Sequence, residues 1–486
     1  MSWQRLIRHP VALLACSAIY CALGIVGEAP LGGGIAKAAS PVRSTLPTPQ
    51  LAKRLLNATH RHGEWLRVPV GSQTVLTWTV YPVRSDRAPV VLITADDQQL
   101  SDWLRSVADQ IALEGYIAIV PDARRSSPAA AAVREYAVAL PSANGIGAEL
   151  SFVSSPAPDA RIDVRIDQNV GGHAEARFEL SARAWPQAVA FLDAATGNST
   201  AAIEMPLHGP HLMGQGGASA PGDAPPRPRG YPISKPDHLV AGYFNARSTV
   251  ETSPMRSEWV DVPVDGVPIR TRVVYPEGDG EAPIVIAMQH GTGLDDWMLA
   301  LADQLAREGF IAIAPDMHSG LGPDGGNTDS FAFIDDIMKA NAQISTEFAL
   351  RRFEAAYEHG MGLPRASGKA VSIGFCRGGG HSFEFAAIAP LDAAVVFYGN
   401  APEPEIMARI NAPVIGFYGE DDARITSGVE ATAAEMRRLG KAFEYHIYPH
   451  ATHVFLEFQD LGGNAEAVAR AWPRAMEFIR EHTELQ

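Results

Sequence analysis

The chain is poor in cysteine, with three in 486 residues: Cys16, Cys21 and Cys376. The first two lie in an N-terminal stretch that reads as an export signal. A mature exported chain would keep Cys376 alone and could form no internal disulfide, although its compartment would favour one. Such a leftover thiol is either a reactive group or a small buried hydrophobe. Basic charge is also short. Lys+Arg total 40 against 55 Asp+Glu, a net charge of −15, and this excludes the basic face that nucleic acid requires. Beyond the N-terminus no run is long and apolar enough to span a membrane. The 15 histidines are scattered without metal-ligand spacing, so neither a metal nor a cofactor is expected.

The N-terminal pattern itself is ordered. "MSWQRLIRHP" supplies Arg5 and Arg8, an apolar stretch runs from Val11 to Val26, and Ala36-Lys37-Ala38 is a small-x-small cleavage site. Residues 1–38 are therefore expected to be a signal peptide, with the mature chain in the periplasm or secreted. The alternative is an uncleaved anchor, for which the stretch is short and interrupted by Ser17 and Gly24. A lipoprotein reading through Leu13–Cys16 has too little apolar sequence before it.

The rest of the chain carries a duplication. "EWLRVPV" at Glu64 matches "EWVDVPV" at Glu258, "VYP" at Val80 matches "VYP" at Val274, and "ADQIALEGYIAIVPD" at Ala108 matches "ADQLAREGFIAIAPD" at Ala302. The offset is 194 residues throughout, from Glu64 to Glu258. One register held this long marks an internal repeat. "ARAWPQAVAFL" (Ala182–Leu192) also resembles "ARAWPRAMEFI" (Ala469–Ile479), at another offset. The middles differ, and nothing in 123–181 resembles a Gly-flanked nucleophile turn. The expected organisation is a loose lead-in over 39–58, a truncated non-catalytic repeat over 59–200, a Gly/Pro-rich linker over 205–250 and a catalytic domain over 255–486.

Within the C-terminal part, apolar runs such as "APIVIAMQH", "FIAIAPD" and "KAVSIGFC" alternate with helical patterns such as "DWMLALADQLAREG" and "FALRRFEAAYEHGM". That alternation predicts an α/β fold, a mostly parallel sheet covered by helices on both faces. Working residues are then expected beyond the carboxyl ends of the strands. Gly374-Phe375-Cys376-Arg377-Gly378 fits a nucleophile elbow, with cysteine at the tip. Flanking glycines permit the tight turn. The helix after it points its positive end at the thiol, and the Arg377 N–H can face an oxyanion. Asp421 and Asp422 end a later strand, and His450 and His453 come next in "YPHATHVF", which completes the order nucleophile, acid, base. Each taken singly is equally well a solvated turn residue or a loop hydrogen-bonding group.

These residues resemble the dienelactone hydrolase family of α/β-hydrolases. "GFCRGG" is similar to its cysteine elbow, "YGEDDAR" to its acid loop and "YPHATHVF" to its histidine loop, across about residues 258–482. The resemblance implies an α/β-hydrolase fold preceded by a smaller related α/β domain. It also implies metal-free hydrolysis of lactones and small esters, with Cys376, Asp422 and His453 as the triad. It departs at one loop. Where the family has a glutamate after Gln, the chain reads Gln289-His290-Gly291-Thr292-Gly293. His290 is expected to orient that loop and Gly291 to supply the second oxyanion N–H. Arg424, and Gln289 with it, are candidate substrate contacts, although Arg424 could equally pair with Glu420. Arg377 is a weaker candidate. The expected partner is a small ester or lactone, with neither nucleic acid nor stable membrane insertion. The competing readings are a thioesterase or acyltransferase on the same triad, and a non-catalytic binding protein.

Overall fold

The repeated apolar runs build two sheets. The structure, a computed structural model, describes residues 46–95, 100–123, 127–153, 161–168, 172–179, 184–200, 202–203 and 239–485. The expected signal peptide and most of the expected linker lie outside these residues.

The first sheet holds β1 (Gly63–Val70), β2 (Gln73–Val80), β3 (Ala88–Ala95), β4 (Ile117–Pro121), β5 (Ala143–Val153), β6 (Arg161–Gln168) and β7 (Gly172–Glu179), in the order β1-β2-β4-β3-β5-β6-β7. The second holds β8 (Ser257–Val264), β9 (Val267–Val274), β10 (Ala282–Met288), β11 (Ile311–Pro315), β12 (Ala366–Phe375), β13 (Ala393–Phe397), β14 (Val414–Gly419) and β15 (Phe443–Tyr448). Its order is β15-β14-β13-β12-β10-β11-β9-β8, parallel from β11 to β15 with the β8–β9 hairpin antiparallel at one edge. This is the expected α/β-hydrolase fold.

The helices used below are α1 (Pro49–Ala58), α2 (Asp102–Leu113), α3 (Pro128–Val138), α4 (Ala184–Thr196), α5 (Ala246–Glu251), α6 (Asp296–Arg307), α7 (Ile334–Asn341), α8 (Thr346–Met361) and α9 (Arg377–Phe385). Strand β10 is buried along its whole length, which is why its sequence is continuously apolar. Val285 and Ala287 pack with Leu301 and Leu305 of α6 and with Trp472 and Met476 of the helix Asn464–Thr483. Ile284 and Ile286 pack on the opposite face with Ala349, Phe353 and Ala356 of α8. The period-2 alternation thus delivers one strand to two cores.

The first five repeated elements recur at the 194-residue offset: β1 with β8, β2 with β9, β3 with β10, α2 with α6, β4 with β11. Both helices start on a matched cap, Ser101 accepting from the Leu104 N–H and Asp295 from the Met298 N–H. The halves part after this. Strand β5 takes the place beside β3 that β12 takes beside β10, and Val153 falls where Cys376 would. Instead of turning into a helix, the chain continues into the antiparallel strands β6 and β7. Charge on alternate positions of β6 and β7 is the period of a half-exposed strand.

Two expectations are corrected. The lead-in contains a helix, α1, with Ala52 and Leu56 buried. The end of the linker is core: Val240, Ala241 and Ala246 are buried, and the Trp297 indole N–H donates to the Ala241 carbonyl at 2.9 Å. Satisfying that buried indole ties the segment to α6. The two sheets lie in one compact unit from Arg43 onward. A buried bidentate ion pair joins them, Arg105 of α2 to Asp335 of α7 at 2.5 and 2.9 Å.

Candidate active site

Cys376 sits between β12 and α9 with φ 53° and ψ −115°, a strained backbone held by its surroundings. A Cβ on Gly374 would lie 1.9 Å from the Gly378 carbonyl oxygen, and one on Gly378 would lie 2.1 Å from the Met288 oxygen. Only glycine fits either position, because both obstacles are backbone. The turn places the half-buried thiol at the N-terminus of α9, whose first N–H groups have no partner within the helix.

His453 lies in the loop after β15. Its Nδ1 is 2.6 Å from Oδ2 of Asp422, at the end of β14. The ring packs edge-on against Tyr398 at 5.0 Å, and its buried Nε2 has no hydrogen-bond partner among the described residues. That nitrogen is left for the nucleophile. Burial opposes the imidazolium, but the charges of Asp422 and Cys376 raise the His453 pKa to about 9. Burial likewise opposes ionisation of Cys376, and His453 and then His62 outweigh it, holding the thiol well below its ordinary range. Asp422 is kept below the usual carboxylate range against its own burial, chiefly by His453. The neighbouring candidates point elsewhere. His450 is exposed beside Glu420, 3.7 Å away, and the Asp421 N–H is tied to the Ala451 carbonyl at 2.9 Å.

The oxyanion candidates converge. Gly291 lines the cavity on both sides of the thiol, and its carbonyl is fixed by the Asn341 side chain at 2.6 Å. Arg377 is the first residue of α9 and lines the same cavity. Its guanidinium is spent on the carbonyls of Asn341, at 3.1 Å, and of Ile344, so it is not a free substrate contact. Arg424 lines the cavity, with its buried Nε unpartnered among the described residues. Gln289 does not fill the expected role. Its amide donor lies 3.0 Å from His318 and its oxygen accepts from the Met317 N–H at 3.2 Å, which fixes the loop from behind.

His290 also differs from the family's loop glutamate. Both its ring nitrogens are committed, Nδ1 to Glu457 and Nε2 to Asp295, each at 3.0 Å. Burial disfavours the cation, yet the two carboxylates raise it well above the ordinary histidine range. Held between two acids, the ring orients the loop carrying Gly291, and neither nitrogen is left for the thiol.

The group that does reach the thiol comes from the other half. One ligand-type atom each of His62, Cys376 and His453 lie within 4.8 Å of one another. Glu64 stands 3.5 Å from His62. Burial opposes its charge, but His62, Arg424 and Tyr81 hold its carboxyl at about 2. The N-terminal half also pins the acid loop, because Arg84 forms a parallel β-bridge with Asp422 and its carbonyl accepts the Ala423 N–H at 3.0 Å. Sequence reading missed His62, Glu64, Tyr81 and Arg84. The signals were Glu64 and Tyr81, which the repeat matches to Glu258 and Tyr275. Two adjoining cavities of about 260 and 110 Å³ meet at Cys376.

The model of the dienelactone hydrolase family matches residues 269–483. A protein of Saccharolobus solfataricus assigned as a carboxymethylenebutenolidase is 30% identical over 250 residues, 44% of this chain and 95% of that protein. The chain belongs to the dienelactone hydrolase family. An Escherichia coli protein of the same assignment is 28% identical, over 42% of this chain and 79% of its own length. A crystal structure assigned as a dienelactone hydrolase from Klebsiella pneumoniae is 26% identical, covering 47% of this chain and 99% of that one, with a TM-score of 0.42. This family member is thus a hydrolase acting on esters or lactones, and the family match lies in its C-terminal half.

Proposed function

We propose that the protein hydrolyses small esters or lactones through a Cys376–His453–Asp422 triad and a thioester acyl-enzyme. The Cys376 thiolate attacks the carbonyl carbon, and the oxyanion is held by the N–H groups of Arg377 and Gly291. As the C–O bond breaks, His453 gives its proton to the leaving oxygen. His453 then takes a proton from water, the hydroxide adds to the thioester, and the acid departs as the thiolate reforms. Asp422 keeps the imidazole oriented and supports its charged form.

The observation that carries this reading is the 2.6 Å bond from His453 to Asp422, with Nε2 left unpartnered beside a thiol on an elbow. The small cavity favours a small acyl group, and the unpartnered Arg424 Nε favours one bearing an anionic oxygen. The N-terminal half is read as a truncated, non-catalytic copy, supported by the shared offset and by Val153 at the elbow's place. The N-terminal signal pattern supports export, and no helix among the described residues is long and apolar enough to cross a membrane.

Hydrolysis of a small activated aryl ester by the wild type beside Cys376→Ala tests the mechanism. A clear wild-type rate lost in the variant is expected. An undiminished rate in the variant removes the thiolate mechanism, and faster turnover of acyl thioesters than of oxygen esters would move the reading to a thioesterase.

A further inference from the structure

The triad leaves one half-buried imidazole at the nucleophile without a task. His62 precedes β1, in the half that has no elbow of its own. Its ring meets the His453 ring edge-on at 5.3 Å, and one of its nitrogens shares the 4.8 Å cluster with the sulfur. Its Nε2 lies 3.5 Å from the Glu64 carboxylate, an ion-pair contact and not a formed hydrogen bond. Glu64 is itself steadied by Arg424 and Tyr81. A carboxylate at that range steadies the ring electrostatically beside the sulfur.

Among the described residues the other groups near the sulfur are engaged elsewhere, apart from the Arg424 Nε that faces the cavity. His290 is committed to Asp295 and Glu457. From α9, Arg377 is committed to backbone carbonyls, while His381 faces Glu384 at 3.2 Å. Tyr398 lies against His453, Arg424 answers Asp422 and Glu64, and Glu457 is held by His290. His453 must pass its proton to the leaving group and recover one from water, so it cannot serve the sulfur throughout.

We propose that His62, braced by Glu64, is a second imidazole of the active site that donates an N–H to the Cys376 thiolate, so that the N-terminal half completes the nucleophile of the C-terminal half. The proposal deepens the cysteine mechanism and rests on Cys376 being the nucleophile. It fits the thiol's electrostatics, in which His62 comes after His453 as a stabilising partner.

The test is the rate of Cys376 alkylation by iodoacetamide as a function of pH, on the full chain. Wild type, His62→Ala, Glu64→Gln and the exposed-site control His450→Ala are compared, with near-UV circular dichroism to verify folding. In the wild type the reactive thiolate persists well below the ordinary thiol range. His62→Ala is expected to move the inflection upward by about one unit, which is roughly a tenfold slower reaction at pH values below both inflections. Glu64→Gln shifts it the same way by less, and it answers the question if His62→Ala does not fold. His450→Ala leaves it in place. A folded His62→Ala whose profile superimposes on the wild type overturns the proposal, as does a folded Glu64→Gln with the wild-type profile when His62→Ala is lost. Alkylation needs no ester. A shifted profile without ester hydrolysis fails the substrate reading alone, and a superimposed profile with active hydrolysis fails the second imidazole alone.

Discussion

Replacing Arg105 by alanine isolates what holds the two halves together. The Arg105 and Asp335 side chains are 1% and 2% exposed, and the guanidinium meets the carboxylate through two bonds at 2.5 and 2.9 Å. The same guanidinium lies 5.4 and 5.3 Å from the rings of Trp65 and Trp78. Breaking a buried pair from one side costs roughly 3–5 kcal/mol, because the partner's charge stays buried without its neutraliser. Lys339 remains 2.8 Å from Asp335, so about 3 kcal/mol is expected in urea unfolding followed by tryptophan fluorescence. The pH dependence has a definite sign. Burial opposes the Asp335 charge, but Arg105 holds its carboxyl below the usual range. Its contribution is therefore full above the unfolded carboxyl value, about 4, and is lost as pH falls through the lower folded value. The gap between wild type and Arg105→Ala should narrow toward acid. Pairing Arg105→Met with Asp335→Leu should recover most of the loss, since an apolar pair leaves no stranded charge. A loss below about 1 kcal/mol, or a double variant as weak as the single, would refute this account of the interface. Activity should fall with stability, since α7 also carries Asn341, which fixes the Gly291 carbonyl.

Asp422→Asn should lower ester turnover on the order of 10²–10⁴-fold with the thiol still present, read by steady-state kinetics beside thiol titration. The acylation rate should be bell-shaped in pH. Its alkaline limb should fall near 9 as His453 loses the proton it must donate, and its acid limb should lie below the ordinary thiol range as the thiolate is protonated. The stability linked to the raised His453 is complete below about 6.5 and lost as pH rises through about 9, so thermal melts at pH 7 and 10 should differ in that direction. Gly374→Ala should abolish soluble active protein, because its Cβ meets the Gly378 oxygen at 1.9 Å, whereas Gly280→Ala meets nothing within 4 Å and should change melting little.

The elbow, the alternation of strands with helices and the acid and histidine loops were legible because each is a local pattern. Gly374 and Gly378 report a turn geometry in five residues, and β10 reports burial on both faces by its uninterrupted apolar run. The partners of His290 and Gln289 were not legible. Whether a loop histidine faces a thiol or two carboxylates depends on Glu457, 167 residues away. The strands β5 to β7 were not read from the sequence, although "RIDVRIDQ" and "GHAEARFE" carry charge on alternate positions, the period of a half-exposed strand. The packed segment around Ala241 was hidden by the Gly/Pro-rich sequence before it, although Trp297 needed an acceptor for its indole.

Divergence between the halves obeys the same division between local and distant causes. Glu64 and Tyr81 have counterparts in Glu258 and Tyr275 at the common offset, and the Tyr275 hydroxyl still donates to Glu258 at 2.6 Å. That pair belongs to the repeated edge hairpin and needs no active site to explain it. The adjoining position does: it is His62 in the first half and Arg256 in the second, where the arginine lies 4.7 Å over the Tyr275 ring. An imidazole can brace on a carboxylate and still offer a second nitrogen, which a guanidinium at the same place would offer only as a permanent charge. The half without an elbow therefore carries the titratable side chain where its hairpin meets Cys376. Installing the sibling's residue with His62→Arg should keep positive charge near the thiol but lose the braced donor. Thiol alkylation at low pH should then stay fast while ester turnover falls. If turnover instead survives unchanged, charge alone suffices at this position and the geometry of the Glu64–His62 pair is incidental.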